Sequence, residues 1–336
     1  MRLVVDIKDH DWSDADPDRF RSNIAVQNAR MGAFRAGWGR LVLDLSQPLH
    51  LVTSSIDQSG QTSVLILRFD ATTPEIFAAK AGPPADTVST VLRHTPAPAN
   101  PARLRIAIDP GHGGIDPGAI RDGVTEKSIA LTFAQEMADL INADPSVDAF
   151  LTRDRDMFVS LDDRVALARA ADADIFVSIH ANTVEWGNAE GATIFTLSDK
   201  ASDAAAAALA DYENRADLAA GLDISAQADD VATMLTDMAR VETNARSRDL
   251  GDTLVRTLTG QIPIIRSKPH RSAGFRVLRA PDVPSVLLEL GFMSNQNDRD
   301  RMTSGQWQKQ AAAAILDALK TWAKQDKSLS QWAARH

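Results

Sequence analysis

The sequence predicts an α/β protein in two parts. A small all-β domain is followed by a larger domain with a mixed, mostly parallel central sheet flanked by helices. Three observations carry that prediction. Short apolar bursts at strand spacing occupy residues 1 to about 70. A tract rich in proline, alanine and threonine then runs to residue 102 and ends in HTPAPANPA. From Arg103 onward, apolar runs alternate with segments of helical period.

In the first part the bursts are RLVVDI at 2–7, GRLVLDLSQP at 39–48 and SVLILRFD at 63–70. The tract after them holds Pro84, Pro96, Pro98 and Pro101 and reads as a linker, 76–102, extended in its second half, with a short helix near PEIFAAKA at its start. The second part opens with the strand LRIAID. TEKSIALTFAQEMADLINA at 125–143 follows as an amphipathic helix with Thr125 at its N-cap. VDAFLTRD is a strand, and SLDDRVALARAADA is a helix opened by Ser160, with Asp163 completing a near capping box. ADIFVSIHAN, GATIFTLS at 191–198 and PSVLLELGF at 284–292 are further strands, and a helix spans about 305–324. The domain is expected to end near 325, leaving 326–336 as a polar tail. Residues 199–260 break the rhythm: they are helical or loop by composition and long for a simple crossover.

A length of 336 residues suits two domains, and 44% hydrophobic with 24% charged residues describes an ordinary globular chain. A formal net charge of -9 argues against nucleic acid as the main partner. The absence of cysteine excludes disulfides, thiolate chemistry and Cys-ligated metal. No apolar run is long enough to span a bilayer, and the opening MRLVVDIKDHDW reads as a strand, not a leader.

Polar residues at strand ends are the candidates for chemistry, because ligands of a parallel α/β sheet bind where strands end and loops converge. His112 follows LRIAID in the loop DPGHGG, and His180 follows DIFVSI. Glu126, at the start of the next helix, would complete a His, Glu, His set with an open fourth position. Each also has a plain reading, as a hydrogen-bonded histidine or a glutamate favoured by the helix dipole. Glu289 is harder to explain structurally: a carboxylate inside SVLLEL is costly to bury unless it is paired or ligated. Asp109 is a candidate to orient a histidine by accepting its second N–H.

Four blocks, IAIDPGHGGIDPGA, TEKSIAL, LTRDRDMFVSLDDRVALARAADADIFVSIHAN and PSVLLELGFMSN, occur in the order seen in zinc-dependent N-acetylmuramoyl-L-alanine amidases, which the chain resembles from residue 103 to its last long helix. The N-terminal strands, 1–75, resemble part of the small β (AMIN) domain of the periplasmic cell-separation amidases of the AmiA, AmiB and AmiC type. The resemblance implies one Zn²⁺ held by His112, Glu126 and His180, with Glu289 as the catalytic glutamate. It implies cleavage of the amide between N-acetylmuramic acid and L-alanine in peptidoglycan, and a periplasmic location. Asn182, in SIHAN, is a candidate to hold substrate or the adjoining loop, and His270, in KPHRSAGFRVL, is placed in a loop at the substrate rim.

Within 199–260, ENRADLAAG resembles the segment leading into an inhibitory helix of the cell-separation amidases. Glu213 is the residue matched to the carboxylate that fills the metal's open position. Release would then need a partner, which the resemblance names as a LytM-domain activator of the EnvC/NlpD type. Val231, Leu235 and Met238 share one face of the following stretch, as core or as a docking stripe. Two alternatives stay open: a non-catalytic peptidoglycan-binding cell-division protein, and an amidase in which 199–260 merely lines the cleft.

Overall fold

The computed structural model describes residues 1–8, 16–20, 24–35, 37–57, 64–80, 100, 102–183, 189–222, 230–329 and 332. Its first part holds β1 (Arg2–Lys8), β2 (Val26–Arg35), β3 (Trp38–Leu45), β4 (Leu49–Asp57) and β5 (Val64–Ala71), then α1 (Pro74–Lys80). β1, β3 and β2 form an antiparallel sheet in that order, and β4 pairs with β5 as a separate two-stranded ribbon. β2 and β4 go beyond the sequence expectation: VQNARMGAFR and LHLVTSSID mix polar residues into both faces, so neither shows a clean period of two. Most of the expected linker lies outside the described residues.

The larger part contains β6 (Leu104–Pro110), the short β7 (Ile120–Arg121) and β8 (Val124–Thr125), α2 (Glu126–Asn142), β9 (Val147–Leu151), α3 (Leu161–Ala170), β10 (Ile175–Asn182) and β11 (Thr193–Leu197). After these come α4 (Ala204–Glu213), α5 (Ala216–Ala219), α6 (Asp230–Leu258), β12 (His270–Ala273), β13 (Ser285–Phe292), α7 (Gln296–Met302) and α8 (Gly305–Gln325). Six strands run in the order β12-β11-β13-β10-β6-β9, with only the β11–β13 pair antiparallel. The sheet is mixed and mostly parallel, as the sequence predicts. β6 and β13 are buried at every residue, which is why they read as continuous apolar runs.

Helices cover both faces. On one, Ile106, Ile108, Val177, Ile179, Val286 and Leu288 pack against apolar stripes of α2, α6 and α8. On the other, Ala107, Phe176, Leu287 and Phe195 meet α3 and α4. Leu250, Leu254 and Leu258 of α6 are fully buried, so the C-terminal half of α6 is a core crossover between the parallel strands β11 and β12. The side chains of Val231, Leu235 and Met238 lie outside the described residues.

Ser160 caps α3 as expected, its Oγ accepting the Asp163 N–H at 3.2 Å. Thr125 occupies the N-cap of α2 but its hydroxyl makes no capping bond. The loop before it satisfies the first turn instead, with Ala119 O and Pro117 O accepting the Glu126 and Lys127 N–H groups. The C-terminal tail is not wholly detached, because Trp332 is buried and its Nε1–H donates to Ser146 O at 2.9 Å.

The N-terminal sheet packs directly on the larger part. Val42, Ile115, Phe158 and Ala220 form a buried cluster with Val4, Phe34 and Leu222 against it. Phe34 stacks on Phe158 at 6.0 Å between centroids. Arg40, 1% exposed, pairs with Asp6 and donates Nη1–H to Ala220 O at 2.9 Å.

Candidate metal centre

The period of two in the sheet delivers one wall of the site. Asp109 on β6, Ser178 and His180 on β10, and Glu289 on β13 alternate with the apolar residues facing α2 and α8, so they all point to the α3 side. His180 is the register partner of Glu289 across the parallel pair, and Thr193 is the partner of Glu289 on β11. A register shift follows His180, and the Ala181 N–H donates to Glu126 Oε1 at 3.0 Å.

The loop after β6 supplies the second wall. His112 has φ 57°, a left-handed conformation that costs a non-glycine residue on the order of 1 kcal/mol. Two buried arginines hold the turn: Arg153 donates to Pro110 O and Gly111 O, and Arg164 donates to Pro110 O and His112 O. Gly111 is needed for close approach, since a Cβ there would meet His180 Cε1 at 2.4 Å.

Asp109 does not orient a histidine. It is fully enclosed and bonds Arg164 Nη1 at 2.7 Å, Thr152 Oγ1 at 2.6 Å and Ser178 Oγ at 2.7 Å, anchoring the loop's base. Burial opposes its charge, but Arg164 and the two hydroxyls outweigh that and hold its carboxyl below the ordinary range. The orienting carboxylate is Asp116, whose Oδ2 lies 2.8 Å from His112 Nδ1.

The structure brings His112, Glu126, His180 and Glu213 together, all buried, with one ligand atom from each within 4.8 Å of all the others. Glu126 Oε1 is 3.1 Å from both His112 Nε2 and His180 Nδ1. Glu213 Oε2 is 3.5 Å from His112 Nε2 and 3.3 Å from His180 Nδ1. With Nδ1 turned to Asp116, His112 Nε2 is buried without a hydrogen bond among the described residues and faces Glu126 and Glu213. Burial lowers the His112 pKa, yet Asp116, Glu126 and Glu213 together drive it well above its usual value. Burial pushes Glu213 up to about 7 against the pull of both histidines. A buried pocket of two imidazoles and two carboxylates that so favours positive charge fits a zinc ion, which takes N and O donors in this number.

Glu289 is fully buried, and neither carboxyl oxygen makes a hydrogen bond of ordinary geometry among the described residues. Burial, with Glu126 nearby, raises its pKa well above the usual range. Asn182 contributes through its backbone, its carbonyl accepting the Met293 N–H at 2.6 Å. His270 lies outside the cluster and is not in a loop: it opens the edge strand β12, between Asp252 Oδ1 at 2.7 Å and Thr196 Oγ1 at 3.0 Å. Thr193, which sequence reasoning passed over, has a buried hydroxyl with no hydrogen-bond partner among the described residues.

The model of the Amidase_3 family, N-acetylmuramoyl-L-alanine amidase, matches residues 106–321. The chain belongs to that family. This family assignment makes the protein a hydrolase. The amidase is 33% identical over 347 residues to the N-acetylmuramoyl-L-alanine amidase AmiC of Neisseria meningitidis serogroup B, covering 96% of this chain and 81% of that protein. It is 36% identical over 216 residues to AmiA of Escherichia coli K12, covering 64% of this chain and 74% of that protein. Among solved structures, AmiC2 of Nostoc punctiforme aligns with a TM-score of 0.45 at 27% identity, covering 65% of this chain and 96% of that one. The amidase has no described helix long and apolar enough to cross a membrane.

Proposed function

We infer that the chain is a zinc-dependent amidase that cuts between N-acetylmuramic acid and L-alanine in peptidoglycan during septal wall splitting. The observation that carries this is the convergence of His112, Glu126 and His180 beside Glu289, the register partner of His180. The three would hold the ion, which when bound supplies a Lewis acid that polarises a carbonyl and lowers the pKa of water. Asp116 fixes the His112 tautomer, and the backbone amides of Ala119 and Ala181 orient the Glu126 carboxylate. Glu289 takes the proton of the attacking water and delivers it to the leaving amine.

Glu213 would act as a latch. Its carboxylate lies in the ligand cluster where the open position belongs, excluding water and substrate until the segment is drawn away. A LytM-domain partner is the proposed activator, acting in the periplasm. Residues 1–75 are read as a partial AMIN-like domain and 76–102 as linker. The regulatory stretch is read within 199–260, before the buried half of α6.

Zinc analysis of the purified chain with muropeptide release tests the assignment. Glu289→Gln is expected to keep its zinc and lose at least about a hundredfold in release. Unchanged release would refute the role given to Glu289.

A further inference from the structure

Glu213 begins a segment that the larger domain grips well outside the metal cluster. The Asn214 carboxamide donates Nδ2–H to Gly274 O at 2.9 Å and accepts the Arg276 N–H at 2.8 Å. Asp217, 3% exposed, accepts the Leu161 N–H at 2.9 Å and lies 3.4 Å from Arg276 Nη1. The other arm of the guanidinium is fixed by Asp162 at 3.1 Å. Gly274 to Arg276 follow directly on β12, the edge of the sheet. A small void next to Glu213 is lined by His112, His180, Leu161 and Val277, so Leu161 and the residue after Arg276 border the same space as two of the proposed ligands.

We propose that Arg276, with the Leu161 N–H, is the carboxylate-binding subsite for the peptide stem, and that Asp217 occupies it only while the latch is closed. This rests on the amidase and latch readings above. The ligand is an acidic peptide. Its second residue, D-glutamate, is joined through its γ-carboxyl and so carries a free α-carboxylate two residues from the scissile amide. The amide-binding pair at Gly274 and Arg276 receives the peptide backbone where Asn214 now lies. The latch therefore imitates substrate at three points, one at the metal cluster and two along the stem.

Calorimetric titration separates this from a merely structural role for Arg276. The probes are the tripeptide L-Ala-γ-D-Glu-meso-diaminopimelate and its α-carboxamide analogue. The receptor is the full zinc-loaded chain carrying Glu213→Ala and Asp217→Ala, so that both positions are vacant. The free acid is expected to bind about tenfold tighter than the carboxamide, equivalent to about 1.4 kcal/mol. Adding Arg276→Gln should abolish that ratio, and Arg276→Lys should restore part of it. A ratio that survives Arg276→Gln, or no discrimination from the start, overturns the subsite. Muropeptide hydrolysis is measured on the same receptor: hydrolysis without discrimination overturns the subsite alone. No hydrolysis by a zinc-loaded receptor overturns the amidase reading, and the subsite with it.

Discussion

Asp109 and Arg164 are the pair on which the histidine loop rests, and both are enclosed by protein. Asp109→Asn keeps the shape but leaves a buried guanidinium without its charge partner, a loss on the order of 3–5 kcal/mol. Urea denaturation at neutral pH should show it, and an unchanged midpoint would contradict the pairing. Because the Asp109 carboxyl titrates below its ordinary 3.8 in the fold, its contribution is complete above that value and is lost as pH falls through the lower, folded one. The gap between wild type and variant should therefore narrow only in strong acid. Thr193 gives the opposite expectation. Its orphaned hydroxyl is a cost to the fold, so Thr193→Val should leave stability equal or raise it by about 1 kcal/mol in the same assay. A clear loss would mean that the hydroxyl has a partner in the folded chain.

The latch segment is the element most exposed to mutation. Asn214→Ala removes two neutral hydrogen bonds at about 1 kcal/mol each, enough to raise basal muropeptide release roughly tenfold or more if 213–222 holds the site closed. Equal or lower release by a folded variant would count against the latch. Elements also differ in how plainly they stand in the sequence. β6, β10, β13, α2 and α8 were legible because burial on both sheet faces, or on one helix stripe, imposes a pattern. β2, β4 and β12 were not, since HRSA and its like carry no apolar period. His112, Glu126, His180, Glu213 and Glu289 could be named from motifs. Asp116, Arg153 and Arg164 could not: their roles depend on which loop carbonyl or ring nitrogen comes within reach, and that is set by the fold.

Across the whole molecule, the N-terminal sheet touches both walls of the site's surroundings. Gly32 packs so closely on the loop after His112 that a Cβ would lie 2.8 Å from Gly114 O, and Arg40 holds the carbonyl of Ala220. Gly32→Ala should wedge this seam, costing about 1–3 kcal/mol, and Arg40→Ala should speed limited proteolysis within 213–222. Digestion at the wild-type rate in both variants would show the seam to be energetically idle. Glu213, finally, is carried on a segment rooted at both ends, in β11 and in the buried half of α6. A carboxylate tethered in this way is present at an effective concentration in the millimolar range, set by the chain itself. Dilution leaves its occupancy unchanged, whereas a detached peptide copy would wash out. A competitor has to exceed that local concentration or take hold of the tether.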